Sequence, residues 1–103
     1  MAGYVAVLVI HLHFPGSGSL KGKRKEIAPV KAHLRGRLGV SVAEVEHQDT
    51  WQRATLTGAL AGRSVQGLEE TVNGVERYLE SRFPETGARV ERLVVSVDDL
   101  RGG

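Results

Sequence analysis

The stretch that decides the fold is GYVAVLVIHLH, residues 3–13. Both alternating sets of its side chains are apolar and rich in β-branched residues as far as Ile10, and Pro15-Gly16 ends the run. A strand that is apolar on both sides is typical of the middle of a sheet. The run is too short to span a bilayer, and no basic segment precedes it as in a signal peptide. We therefore expect a central strand and no membrane segment.

Outward from this strand, the sequence predicts a first helix. Ser19 is a suitable N-cap, apolar residues recur at helical spacing up to Arg37, and Gly39 is a suitable terminator. Pro29 removes a backbone donor and disfavours helical dihedrals at the residue before it. We therefore expect a bend in this helix, or a loose first turn at its start.

The remaining elements follow from the same rules. Alternating patterns predict strands at 40–46 and 51–60, joined by a polar loop at 47–50. A second helix begins after Ser64, and its apolar stripe is Val65, Leu68, Val72, Val75, Leu79 and Phe83. A turn at 84–87 precedes a fourth strand at 89–97, and the polar tail 98–103 is expected to be frayed.

The order strand, helix, strand, strand, helix, strand predicts one α+β domain over residues 1–103 with a ferredoxin-like fold. Right-handed crossovers favour a four-stranded antiparallel sheet in the order 4-1-3-2, with both helices on one face. In this topology the loop after strand one and the hairpin between strands two and three emerge at the same edge. The start of the first helix and the hairpin at residues 47–53 are therefore expected to be neighbours.

Composition and charge narrow the function classes. The chain has 103 residues and no cysteine, so it has no disulfide framework and no thiolate nucleophile, in keeping with a reducing cytoplasm. The net charge of +2 conceals an asymmetry. Residues 21–37 hold seven cations and one acid, for a charge of +6, whereas the other segments hold seven cations and eleven acids, for −4. Such a division indicates separate basic and acidic surfaces.

Four cations lie at the expected start of the first helix: Lys21, Lys23, Arg24 and Lys25. A helix start carries partial positive charge, so local electrostatics oppose this placement. An anionic partner, with its phosphates bound by these side chains, would explain it. The alternative is a basic surface that only water solvates.

The predicted hairpin carries the polar and aromatic set His47, Gln48, Asp49, Trp51, Gln52 and Arg53. A tryptophan beside amide and guanidinium groups can stack on a base while its neighbours contact the base edge or phosphate. A structural interpretation remains open: Asp49 closes an Asx turn, Trp51 covers the sheet edge, and Arg53 pairs with Glu44 or Glu46. Strand three lacks the aromatic residues that stack bases in RNA-recognition modules, which disfavours RNA binding on the sheet face.

Neither a metal site nor a catalytic site is assigned. His11 and His13 share one face of the first strand, and His47 can approach from the hairpin, but a firm third or fourth zinc ligand is missing from the pattern. His47 and Asp49 form a conceivable acid–base pair, yet no motif places a nucleophile beside them. We expect no metal and no cofactor, and the sequence does not support enzymatic activity.

The side chains of strand one also predict an assembly. Tyr4, Ala6, Leu8, Ile10 and Leu12 are expected to face the helices. This leaves Val5, Val7 and Val9 on the face that no helix covers, where a soluble monomer seldom exposes an apolar row. We expect a homodimer in which a second copy covers this face, by sheet packing or a shared edge strand. The alternative is a small tolerated patch flanked by Thr55, Thr57 and Arg92.

Three segments resemble the YlxP-like family of small bacterial proteins, a domain of unknown function: LHFP at 12–15, SLKxKR at 19–24 and SVAEVxHQDxWQRATL at 41–56. The resemblance covers nearly the whole chain, and the third segment is its most specific part. It implies a ferredoxin-like fold and, since such proteins are often encoded beside translation and transcription factors, a setting near RNA or the ribosome. It implies no catalytic residue.

Together these observations lead to three hypotheses. The first is a non-enzymatic RNA-binding or ribosome-associated factor that uses the basic helix start and the hairpin. The second is a regulatory or catalytic module that binds a small anionic ligand, a nucleotide or a metabolite, at the same helix start, with His47 and Asp49 orienting it. The third is a dimeric protein–protein adaptor.

Overall fold

The computed structural model describes residues 2–85 and 87–102. Within these residues lie four strands and three helices, in the order β1 (Tyr4–His13), α1 (Leu20–Gly36), β2 (Ser41–Glu46), β3 (Arg53–Gly62), α2 (Val65–Arg82), β4 (Ala88–Ser96) and α3 (Asp98–Gly102). The strands form one antiparallel sheet in the order β2-β3-β1-β4, which is the predicted order read from the other edge. The α+β fold is therefore confirmed, and its topology is ferredoxin-like.

The central position of β1 is confirmed. It pairs with β3 from Tyr4 opposite Gly62 to His13 opposite Arg53, and with β4 along its other side. Its helix-facing residues are Ala6, Leu8, Ile10 and Leu12, which are at most 4% exposed. A strand paired on both sides and covered on one face buries most of its backbone and half of its side chains, which explains the long apolar run.

One hydrophobic core unites both helices with the same face of the sheet. From α1 it takes Ile27, Val30 and Leu34, and from α2 it takes Leu68, Val72, Val75 and Leu79. The helices also contact each other through the stacked rings of His33 and Tyr78, whose centroids are 3.7 Å apart. Close packing of α2 on β3 requires a glycine at position 62, because a Cβ there would lie 2.7 Å from Cγ of Leu68.

The predicted N-caps are confirmed, whereas a loose first turn in α1 is not observed. The Ser19 hydroxyl accepts the Gly22 N–H at 3.0 Å, and the Lys23 N–H donates to the Ser19 carbonyl at 3.1 Å. The helix continues through Pro29 to Gly36. Pro29 and Lys25 both lie on the exposed side of α1, so water can solvate the carbonyl that lacks a proline donor.

Several strand boundaries differ from the sequence prediction by one or two residues, and the C-terminal segment differs in its structure. The loop between β2 and β3 covers residues 47–52 because β3 begins at Arg53 rather than Trp51. The C-terminal segment predicted to be frayed forms the short helix α3, whereas Gly103 lies outside the described residues. This helix is fixed at its start, where the Ala2 N–H donates to Asp98 Oδ1 at 3.0 Å and the Val97 N–H donates to the Gly3 carbonyl at 2.9 Å.

The second face of the sheet, which we call the open face, lies opposite the face that packs against α1 and α2. Val5, Val7 and Val9 lie there as predicted, on the strand positions that alternate with the buried set. The alternative of a small tolerated patch placed Arg92 beside them, and that placement of Arg92 is wrong. Arg92 lies opposite Leu8 in the ladder and therefore points to the helix side, where it contacts Asn73 at 3.2 Å and pairs with Glu76 of α2.

No helix in the described part of the chain combines the length and the apolar character needed to cross a membrane.

Candidate functional site

The start of α1 and the β2–β3 loop meet through the buried ammonium group of Lys23. Lys23 is 1% exposed. Its Nζ lies 3.1 Å from Glu44 Oε2 and 2.6, 3.2 and 3.3 Å from the carbonyl oxygens of His47, Gln48 and Arg53, respectively. Four acceptors thus surround the three N–H groups of one lysine. This side chain ties the loop to the helix.

These contacts confirm one sequence prediction and correct two others. The helix start and the hairpin are neighbours, as the topology predicted. Lys23, however, does not present its charge to a phosphate, because the protein's own carboxylate and carbonyls surround its ammonium group. Glu44 pairs with Lys23 rather than with Arg53. A long side chain can extend from the helix into a ring of carbonyls, and no local pattern reveals that ring.

The three other cations of the cluster have a different environment. Lys21, Arg24 and Lys25 are exposed. Among the residues that the structure describes, no carboxylate lies within ion-pairing distance of any of them. Their positive charges lie at the positive end of the helix dipole, and no carboxylate of the described residues offsets them. The argument for an anionic partner therefore applies to these three side chains.

A second set of contacts joins the β2–β3 loop to the β1–α1 loop. The Phe14 N–H donates to the Gln52 carbonyl at 2.7 Å, and Gln52 Nε2 donates to the carbonyls of Pro15 at 3.3 Å and Ser17 at 3.5 Å. The NH₂ group of the Gln52 side chain therefore joins the two loops and is not a free donor to a base. We call the joined surface of residues 14–25 and 47–52 the rim.

Trp51 is the exposed aromatic group of the rim. It is 52% exposed, so about half of its surface is accessible to a partner. Asp49 and the side chain of Gln48 are exposed beside it. The turn beneath them is closed by the backbone, through the Thr50 N–H and the His47 carbonyl at 3.0 Å. A ring presented in this way is available for stacking.

A groove of about 410 Å³ opens within the rim, lined by residues 13–18, Gly22, Glu26 and Phe83. The Gly22 N–H already donates to the Ser19 hydroxyl, so this helix-start donor is not available to a ligand. Glu26 places a carboxylate on the wall. Both features weigh against a small anion at the helix start, because the site lacks a free amide where it is needed and contains a like charge.

The remaining predicted residues line a cavity on the open face, which the rim borders through His47. His11, His13, His47 and Arg53 line one cavity of about 280 Å³, together with Thr55 and Arg89. We call it the histidine pocket. Arg53 was predicted to lie beside Trp51, and Arg89 was not among the predicted site residues. Register explains the difference: Arg53 lies opposite His13, and Arg89 lies opposite His11, so all four share one face.

Glu91 borders this pocket. Its Oε1 lies 2.6 Å from Nε2 of His11 and 3.9 Å from the guanidinium of Arg89. The hydrogen bond with His11 lowers the pKa of Glu91 below its ordinary value, and the charge of Arg89 acts in the same direction. Glu91 is therefore an anion at neutral pH. Within the described residues, no three His, Cys, Asp or Glu side chains are placed to hold a metal ion.

Comparison with known proteins agrees with the fold and adds the family. A family model described as "Protein of unknown function (DUF503)" matches residues 5–92. The chain belongs to this family. Its DUF503 sequence is 32% identical over 76 residues to "Uncharacterized protein YlxP" of Bacillus subtilis (strain 168), across 74% of this chain and 82% of that protein. The YlxP-like resemblance in the sequence is thereby confirmed.

Solved structures resemble this DUF503 domain in fold alone. A protein of unknown function from Nitrosomonas europaea, NE2512, has a TM-score of 0.57 at 10% identity, with 92% of each chain covered. The de novo designed protein Foldit4 has a TM-score of 0.55 at 13% identity, with 90% of this chain and 96% of the design covered. At such identities the likeness carries no function.

Proposed function

We propose that this protein is a non-enzymatic RNA-binding or ribosome-associated factor that binds single-stranded RNA along the rim. The observation that carries the proposal is the placement of three exposed cations, Lys21, Arg24 and Lys25, on the same rim as the half-exposed ring of Trp51. Buried Lys23 fixes the two segments relative to each other. Such a role would place the protein in the cytoplasm.

The cations and the tryptophan of the rim would bind different parts of the RNA. The cations bind phosphates without regard to sequence, and this affinity falls as salt rises. The tryptophan ring stacks on an unpaired base, which any of the four bases can provide. A positively charged track beside an aromatic ring is the usual arrangement for binding single strands. Base pairs in a duplex remain stacked on one another, so a duplex would use only the cations.

The open face does not support the alternative of RNA binding in the manner of RNA-recognition modules. The residues of β3 on that face include Thr55 and Thr57, and its neighbours on β1 are Val9 and His11. None of these positions carries the Phe or Tyr rings on which such modules stack bases. The proposal therefore assigns the RNA to the rim.

Trp51 provides the experiment, because it is the single tryptophan of the chain. Titration with a single-stranded RNA is expected to quench its fluorescence, since the stacked base contacts the indole. A duplex of equal phosphate content is expected to quench it much less. Trp51→Ala is expected to weaken binding of the single strand by about fivefold to 100-fold, the effect of losing one stacked base.

The matched control is Leu100→Ala, which removes an exposed apolar side chain on α3. It is expected to bind RNA like the wild type. Unchanged fluorescence together with equal affinities of the wild type and Trp51→Ala would contradict the assignment of Trp51 to the RNA interface.

We further propose that the open face joins two copies of the chain. Val7 of β1 and Leu93 and Val95 of β4 lie together at one end of this face. Their side chains are 36%, 61% and 37% exposed, respectively. The other end is cationic, with Arg53 and Arg89. A two-fold axis near Val7 would bury the apolar end of each copy against the other and keep the cationic ends far apart, which argues for a second copy as the occupant.

This dimer has a direct test in sedimentation velocity at micromolar concentration. The wild type is expected to sediment as a dimer, and Leu93→Lys is expected to sediment as a monomer because a charge would be buried in the apolar interface. Val65→Lys serves as the control, since Val65 is also exposed, at 41%, but lies on α2, on the helix side of the sheet. A monomeric wild type would rule out the dimer.

A further inference from the structure

The histidine pocket has a composition that neither the family nor the rim explains. Three neighbouring strands contribute its residues. His11 of β1 lies between Thr55 of β3 and Arg89 of β4, and His13 of β1 lies opposite Arg53 of β3. All of these residues share the open face because residues two apart on a strand point the same way. The pocket is thus assembled from three adjacent strands of the sheet.

The loop adds a third imidazole from outside the sheet. His47 lines the pocket, and its backbone has a φ of 63°, in the left-handed region that non-glycine residues seldom adopt. The buried ammonium of Lys23 accounts for this conformation, because it binds the His47 carbonyl at 2.6 Å. The contact that joins the rim therefore also fixes one wall of the pocket.

The lining is rich in donors and free of acids. Arg53 and Arg89 supply guanidinium groups, the imidazoles supply ring N–H donors, and none of the residues that line the cavity is Asp or Glu. Thr55, only 2% exposed, adds a hydroxyl. Two carboxylates border it: Glu91 pairs with His11 at 2.6 Å and lies 3.9 Å from Arg89, and Glu46 lies opposite Thr55 in the β2–β3 ladder. Glu91 offsets part of the charge of Arg89, whereas no carboxylate of the described residues pairs with Arg53, so the Arg53 guanidinium is available to an external anion.

We propose that the histidine pocket binds a phosphate group. Guanidinium groups match phosphate oxygens in paired hydrogen bonds, and donors converging from three strands and a loop suit a tetrahedral anion. A cavity of about 280 Å³ has room for a phosphate and a short organic group. Either a phosphate monoester or a backbone phosphodiester of RNA supplies this chemistry. The site is separate from Lys21, Arg24 and Lys25 and does not depend on the function proposed for them.

Removing the arginines and removing Glu91 are expected to change the affinity for phosphate in opposite directions. Arg53→Gln combined with Arg89→Gln is expected to weaken binding of inorganic phosphate by at least about 10-fold, because two charge-assisted contacts are lost. Glu91→Gln is expected to tighten it by about threefold to 10-fold, since a negative charge leaves the border of the pocket. Glu80→Gln, an exposed position on α2, removes the same charge elsewhere and is expected to change nothing.

The experiment is an NMR titration of the histidine ring signals with three probes: inorganic phosphate, adenosine monophosphate and a single-stranded RNA without terminal phosphates. Saturation by the first two alone supports a phosphate monoester as the source. Equal saturation by the RNA supports the backbone phosphodiester. Replacing Lys21, Arg24 and Lys25 by glutamine is expected to leave phosphate binding at the pocket intact, which separates this site from the rim.

The proposal is overturned if none of the probes shifts the ring signals of His11, His13 and His47. It is equally overturned if Glu91→Gln and the double arginine variant bind phosphate with the affinity of the wild type. Arg53, Arg89 and Glu91 are all exposed, so these variants are expected to fold.

Discussion

Replacement of Lys23 by methionine is expected to lower the free energy of unfolding by about 3 kcal/mol, the lower end of the cost of breaking a buried ion pair. Methionine has a similar length but no donor. It would leave the Glu44 carboxylate and the carbonyls of His47, Gln48 and Arg53 without the group that binds them. Glu44 keeps 18% of its side chain exposed, so water recovers part of the loss. Urea unfolding, followed by circular dichroism, measures the change.

Lys21→Met is the matched control, because Lys21 is an exposed lysine on the same helix turn. It is expected to change the free energy of unfolding by less than about 0.5 kcal/mol. Adding Glu44→Gln to Lys23→Met is expected to restore part of the loss, since the uncompensated charge is removed. Equal stabilities of Lys23→Met and Lys21→Met would show that the buried contacts contribute nothing.

Replacement of Lys21, Arg24 and Lys25 together by glutamine is expected to weaken binding of single-stranded RNA by about 100-fold at 0.1 M salt. Each phosphate contact to a single strand contributes about 0.7 to the slope of log K against log salt, so three contacts contribute about two decades of affinity at this concentration. Glutamine keeps the side-chain length and the helix propensity while removing the charge. Filter binding or fluorescence anisotropy measures the affinity.

A control for net charge replaces Arg63, Arg77 and Arg101 by glutamine. These three arginines are exposed and lie outside the rim, after β3, on α2 and on α3, respectively. This variant has the same net charge as the rim variant and is expected to lose less than about threefold in affinity, because distant charges are screened. Equal losses in the two variants would attribute RNA binding to overall charge.

The fold was predictable because its strongest signals are local and periodic. The doubly apolar run of β1 identified the central strand, and the stripe of α2 fixed which helix face is buried. The serine caps located both helix starts to the residue. The C-terminal helix was missed because it depends on contacts with residues 2–3, which are distant in sequence.

The site was predictable only in part because side chains reach across elements. The four cations at the helix start share one local sequence context, yet Lys23 extends into carbonyls that belong to another segment. Similarly, the sequence does not reveal which alternate residues of β4 face the helices. Arg92 was therefore assigned to the open face, and Arg89 was overlooked. Register and side-chain direction are set by the assembled sheet, and a residue count along one strand does not provide them.

The most direct test of the central claim, that Lys21, Arg24 and Lys25 bind RNA phosphates, is the salt dependence of RNA affinity. The dissociation constants of the wild type and the triple glutamine variant are measured between 50 and 300 mM salt, with Lys23 left intact so that the fold is kept. The account predicts that the slope of log K against log salt is shallower by about two in the variant. Identical slopes would contradict it.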